Sequence, residues 1–208
     1  MLRKLTERTR HLERAHEVSV ERLTRAAECR DVATGRHARR VGAMAGAVAR
    51  AYGLDDDRVT LVERAAPFHD IGKIGIPDSI LHKPGRHNER ERDIMAEHTV
   101  IGHRILGGSA VPFLTVAADI ALTHHERWDG RGRLGLAGEG IPLAGRIVCV
   151  ADAFDALTSE RVYKRAWSTP AALDELQREA GEQFDPAVVA ALLAVARDAK
   201  ETARLGRG

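Results

Sequence analysis

Apolar positions recur along this chain at helical spacing, and no stretch of useful length alternates with period two. Val41 to Tyr52 is a run of small and apolar residues that closes at Gly53. Asp55-Asp56-Asp57 supplies an N-cap and an acidic first turn for a next helix, expected to run to Phe68. Gly72 to Gly85, broken by Gly and Pro, reads as an ordered loop. Helices are predicted over Glu89–Leu106 and Pro112–His125, and the glycine-rich stretch from Trp128 to Pro142 is a loop. Leu143–Thr158, Pro170–Ala180 and Pro186–Ala203 complete the helical set. Residues 1–30 hold no Gly or Pro and place Leu2, Leu5, Leu12 and Leu23 at heptad-like steps, with Thr9, His16 and Ser19 in the same seam. That pattern predicts an amphipathic linker helix rather than a strong coiled coil, either packed on its own domain or serving a homodimer. The fold class expected is all-α, with a linker helix over 1–30 and one helical domain over 31–208.

Charge and composition mainly exclude. The 208 residues carry 32 Lys and Arg against 30 Asp and Glu, a net charge of +2. Such balance argues against coating a nucleic-acid polymer or a membrane surface. Cys29 and Cys149 match no zinc or redox spacing and read as buried thiols. No apolar h-region follows the basic start, and no run approaches the roughly 18 apolar residues of a membrane span. The expectation is a soluble, cytoplasmic protein.

Histidine placement carries the chemical signal. Ten histidines are present. His69-Asp70 ends a predicted helix just before a glycine-broken loop, and His124-His125 ends another in the same way. Asp152 lies in the apolar stretch Arg146-Ile-Val-Cys-Val-Ala-Asp, where a carboxylate is costly unless paired or metal-bound. Taken singly, each is explained as a cap, a salt-bridge partner or a satisfied core histidine. Their joint occurrence, with His37 and His98 on further predicted helices, points to a metal centre of imidazole and carboxylate, a set suited to iron, manganese or zinc.

These residues also lie in a recognisable order. Ala66-Pro-Phe-His-Asp-Ile-Gly-Lys-Ile-Gly-Ile-Pro-Asp resembles the HD motif of the HD-GYP family, and Ile80-Leu-His-Lys-Pro-Gly continues it. His124-His-Glu-Arg-Trp-Asp-Gly is similar to the second signature, and Ile141-Pro-Leu-Ala-Gly-Arg-Ile with Asp152-Ala-Phe-Asp-Ala-Leu-Thr to the third. Arg161-Val-Tyr-Lys and Gly181-Glu-Gln-Phe-Asp-Pro complete the likeness, which runs from about Arg30 to Pro186. The resemblance implies an HD-type helical bundle. It implies a cytoplasmic phosphodiesterase of bacterial two-component signalling that hydrolyses cyclic di-GMP through metal-activated hydroxide. The cofactors implied are two divalent metal ions, iron or manganese. His37, His69, Asp70 and Asp152 would hold one ion, and His98, His124 and His125 the other, with Asp70 bridging. Lys73 would stand over the reacting phosphate as a catalytic residue beside Asp70, while Arg161 and Lys164 would grip substrate phosphates. Glu126, Asp129 and Asp155 would support ligands or fix loops, because a metal-bound imidazole needs an acceptor for its other nitrogen. His11, His16, His82, His87 and His103 are left to surface or packing. A receiver or GGDEF-type signalling protein is the partner class implied.

Two departures bear on specificity. The loop Asp129-Gly-Arg-Gly-Arg-Leu-Gly-Leu-Ala-Gly-Glu-Gly lacks the Tyr and Pro of the family's Gly-Tyr-Pro and looks one residue short. Three-metal members carry a carboxylate four residues before the first histidine, where this chain has Ala33. A two-metal site and a product that is mainly linear pGpG are therefore expected. The alternatives are hydrolysis of another cyclic or linear nucleotide, or a catalytically silent nucleotide- or partner-binding domain.

Overall fold

The computed structural model describes residues 34–109, 111–160 and 165–205. The expected linker helix, Cys29, Ala33, His11, His16 and the pair Arg161 and Lys164, expected to grip substrate phosphates, lie outside those residues. Within them the fold is all-α, as expected, with no β-strand. The helices are α1 (Thr34–Tyr52), α2 (Asp56–Ala65), α3 (Asp78–Leu81), α4 (Glu89–Leu106), α5 (Pro112–Thr123), α6 (Leu143–Thr158), α7 (Thr169–Arg178) and α8 (Pro186–Leu205). None is long and apolar enough to cross a membrane.

Local chemistry sets the boundaries. Gly53 ends α1 at φ +100°, a left-handed conformation that glycine adopts without steric cost. The Asp55 side chain then caps α2 by accepting from Arg58 N at 2.9 Å. Asn88 and Glu91 form a reciprocal capping box at the start of α4, both bonds 2.9 Å long. Two expectations are corrected. The helix projected to Phe68 stops at Ala65 and tightens into a 3-10 turn, Ala66–Phe68, at Pro67, which has no amide hydrogen to donate. The Gly72–Gly85 segment is more ordered than a loop, holding a second 3-10 turn, Ile71–Gly75, and the short helix α3. The Trp128–Pro142 loop likewise contains a 3-10 turn at Gly138–Gly140.

Helix α1 packs against α2, α6 and α8, while α5 packs against α2, α4 and α6. Val41, Ala45 and Val48 of α1, Ala117 and Ile120 of α5, Ile147, Val148 and Val150 of α6, and Val188 and Leu192 of α8 fill the core. Each large aliphatic side chain buried this way contributes roughly 1.5–3 kcal/mol. Alanines between them let the helix axes approach closely.

Two glycines mark the closest approaches, and both adjoin the histidine cluster. A Cβ on Gly72 would lie 1.9 Å from the His98 carbonyl oxygen and 2.5 Å from Gly102 N, so only glycine lets the turn after His69-Asp70 lie on α4. A Cβ on Gly145 would lie 2.1 Å from Thr123 Oγ1, where α6 meets the end of α5 just before His124. Gly72→Ala is expected to cost about 3 kcal/mol or more, since backbone on both sides of the turn must move. Denaturant unfolding of the two proteins checks this, and an unchanged midpoint would contradict it.

Candidate metal centre

Five structural units converge on one point. His37 comes from α1, His69 and Asp70 from the junction between the two 3-10 turns, and His98 from α4. His124 and His125 follow the last residue of α5, and Asp152 lies on α6. His69, His98 and His124 are buried, Asp70 is half-buried, and His125 faces solvent at the mouth. The ligand atoms of Asp70, His98, His124 and His125 lie within 4.8 Å of one another, as do those of His37, His69 and Asp70. Asp70 belongs to both groups. Asp152 joins the second, its Oδ1 3.3 Å from His37 Nε2.

The orientation of the rings decides what this cluster can hold. His69 Nδ1 donates to the Ala66 carbonyl at 2.9 Å, His98 Nδ1 to Met95 at 2.7 Å, and His124 Nδ1 to Ile120 at 3.0 Å. His37 Nδ1 donates instead to Asp155 Oδ2 at 2.7 Å. With the Nδ1 atoms of these four histidines committed to acceptors, their Nε2 atoms face the interior. His98 Nε2 and His124 Nε2 face each other at 3.4 Å, and Asp70 Oδ1 lies 3.4 Å from the former and 3.9 Å from the latter. Converging lone pairs and a carboxylate repel one another unless something electron-poor sits among them. His69 Nε2 is also buried with no hydrogen-bond partner. The donor set therefore fits divalent cations of the iron, manganese or zinc kind.

Electrostatics agree. Burial works against the charge on Asp70, yet His69 and Lys73 overcome it and hold the carboxyl well below the usual range. Burial likewise opposes charge on His69, but Asp70 and then Asp152 push its pKa up to about 9. Burial, joined by neighbouring imidazoles, pulls His124 well below the ordinary value, and burial pulls His98 down as well. The cluster thus sets the ionised Asp70 carboxylate beside His98 and His124, whose lowered pKa values keep them neutral and ready to ligate a cation.

The remaining sequence candidates sit around this centre. Lys73 Nζ lies 2.7 Å from Asp70 Oδ2 at the rim. Glu126 is buried and accepts from Leu134 N at 2.9 Å and Leu136 N at 3.3 Å, so it ties down the glycine-rich loop. Asp129 binds Arg127 NH2 at 2.7 Å, Arg131 N at 2.9 Å and Arg131 Nε at 2.9 Å. Those bonds, the Arg127 one foremost, hold its carboxyl far below the usual range. Neither residue belongs to the two ligand groups. His103 bonds the Ala118 carbonyl and His87 the Ile80 carbonyl, both packing roles. Cys149 is a buried thiol whose pKa burial pushes up to about 12, hence unreactive. Sequence reasoning missed Arg40, which clamps Asp155 with Nε–Oδ1 at 2.5 Å and NH2–Oδ2 at 2.9 Å. Its one signal was its position a helical turn beyond His37.

The HD domain family model matches residues 21–188. The cyclic di-GMP phosphodiesterase response regulator RpfG of Xanthomonas campestris is 51% identical over 176 residues, 84% of this chain and 47% of that protein. A cyclic di-GMP phosphodiesterase of Thermotoga maritima is 46% identical over 186 residues, 89% of this chain and 50% of that protein. A 3'3'-cGAMP-specific phosphodiesterase 2 of Vibrio cholerae is 43% identical over 175 residues, 84% of this chain and 34% of that protein. The chain therefore spans about half or less of these curated relatives. Among solved structures, a cyclic GMP-AMP-specific phosphodiesterase of V. cholerae superposes with a TM-score of 0.61 at 20% identity. That match covers 84% of this chain and 47% of that one, and it supports the fold. The chain belongs to the HD domain family.

Proposed function

We propose that this chain is a metal-dependent phosphodiesterase that hydrolyses a cyclic dinucleotide, cyclic di-GMP in the first instance, and stops mainly at pGpG. The observation that carries the reading is the Asp70 carboxylate shared by two groups of histidines whose ligand atoms lie within 4.8 Å of one another. His37, His69, Asp70 and Asp152 would hold one cation, and His98, His124 and His125 the other, with Asp70 common to both. Two divalent cations, iron or manganese, would supply Lewis acidity and an activated water for attack at phosphorus. Neutral, buried His98 and His124 keep their lone pairs directed inward. Lys73, at the rim, sets an ammonium where charge develops on the phosphoryl oxygens or the leaving oxygen. Solvent reaches the cluster beside His125, and substrate would enter there. Arg161 and Lys164 would hold the second phosphate, acting on KM more than on kcat. A purely binding protein has no use for this full donor set with an ammonium beside it.

A second reading concerns the base. Some relatives are named 3'3'-cGAMP-specific, and the loop tied down by Glu126 and Asp129 lacks the family's Tyr and Pro. Timed chromatography with equal cyclic di-GMP and 3'3'-cGAMP separates the two. The account expects faster loss of cyclic di-GMP with pGpG accumulating, because Ala33 offers no carboxylate to a third cation. Preferential loss of cGAMP would establish the second reading, and rapid GMP formation at two metals per chain would overturn the role given to position 33.

A further inference from the structure

The histidines of the cluster are not fixed in the same way. His69, His98 and His124 each donate Nδ1–H to a main-chain carbonyl three or four residues earlier. Their orientation is set locally, by the turn or helix each belongs to. Among the described residues, His37 has no such bond. Its Nδ1 is held by a side chain from α6, the Asp155 carboxylate, 118 residues away in sequence. Asp155 is in turn held from α1, by the fork of Arg40. The same guanidinium reaches Ser159 Oγ at 3.0 Å, at the end of α6. The orientation of His37 therefore depends on a network of side chains across the α1–α6 contact.

We propose that Arg40 is a positioning residue for the His37 half of the centre: it fixes Asp155, and Asp155 fixes the His37 ring with Nε2 toward Asp152. This rests on reading the cluster as a two-cation site. Asp155 has two oxygens and a free torsion at the end of α6. Alone, it could donate its lone pairs to His37 in several rotamers, or turn toward solvent. The Arg40 fork takes both oxygens, Nε on Oδ1 and NH2 on Oδ2, leaving one rotamer in which Oδ2 also accepts from His37. Lysine offers a point charge rather than a fork and does not impose that plane. Arg40 is also suited to a clean test. It lines an open cavity of about 430 Å³ with Met44, Ala47, Phe154 and Thr158, and its side chain is 48% exposed. Its replacement leaves no buried void.

The test uses Arg40→Gln and Arg40→Lys in the whole chain, with two readouts. In metal-free protein, imidazole 15N shifts report the tautomer of His37. Wild type is expected to show one Nδ1–H form, Arg40→Gln a mixture, and Arg40→Lys an intermediate. In manganese titration of stripped protein, Arg40→Gln is expected to weaken one of two equivalents 10–100-fold, the range typical when a partner of a metal-bound histidine is lost. The other equivalent should stay within about twofold, because His98 and His124 take their orientation from the main chain. An unchanged His37 tautomer in Arg40→Gln would overturn the proposal. So would equal weakening of both equivalents with a lowered melting temperature, the mark of a merely structural role. If wild type itself binds fewer than two manganese ions, the metal reading fails, while the tautomer readout still decides whether Arg40 positions His37.

Discussion

Asp70→Ala is expected to lose bound metal and all phosphodiesterase activity together, the largest effect of any substitution in the chain. Asp70 is the one residue common to both ligand groups, with Oδ1 3.4 Å from His98 Nε2 and Oδ2 3.3 Å from His69 Nε2. Removing it leaves His98 and His124 buried with their Nε2 atoms facing each other and no carboxylate shared between the two groups to draw cations in. Asp155 holds one imidazole, that of His37, whereas Asp70 serves both halves. The variant should still fold, since Asp70 is half-buried and its closest ionic partner, Lys73 at 2.7 Å, reaches the rim. Metal analysis beside circular dichroism measures this. A folded Asp70→Ala protein retaining two metals per chain would remove the bridging role.

Lys73→Ala is expected to lower kcat on the order of 10²–10³ while metal content and melting temperature stay near wild type. That range is typical for removal of one preorganised charge or donor at a reacting centre. The geometry separates it from Asp70. Lys73 Nζ lies 2.7 Å from Asp70 Oδ2 with its side chain one quarter exposed, and it belongs to neither group of ligand residues. Steady-state kinetics with metal quantified in the same samples checks the effect. Near-normal kcat with metal bound would show that Lys73 merely neutralises Asp70.

Much of the site was legible because its ligands are adjacent pairs at helix ends. His69-Asp70 and His124-His125 stand where α2 and α5 have just stopped, so their side chains point away from the helix barrel into shared space. Periodicity located α4 and α6 to the residue, because Asn88 with Glu91 and Pro142 with Leu143 are strong local starts. What sequence could not supply came from pairings across long separations. Arg40 reaches Asp155 over 115 residues, and Glu126 takes its bonds from main-chain amides of a glycine-rich loop rather than from a side chain. The tight turns at Ala66–Phe68 and Ile71–Gly75 were read as helix and loop. Their geometry is imposed by Pro67 and by the contact of Gly72 with the His98 carbonyl, a tertiary constraint invisible to local pattern. The same contact explains why a glycine follows His-Asp at this distance.

The central claim is that two cations sharing Asp70 are required for cleavage of a cyclic dinucleotide. Its most direct test is a titration of anaerobically purified, chelator-stripped protein with Fe²⁺ or Mn²⁺, following bound metal and hydrolysis of cyclic di-GMP in the same samples. The account predicts no hydrolysis without metal, little at one equivalent, and full activity on filling the second. Full activity in stripped protein that regains no metal would contradict it.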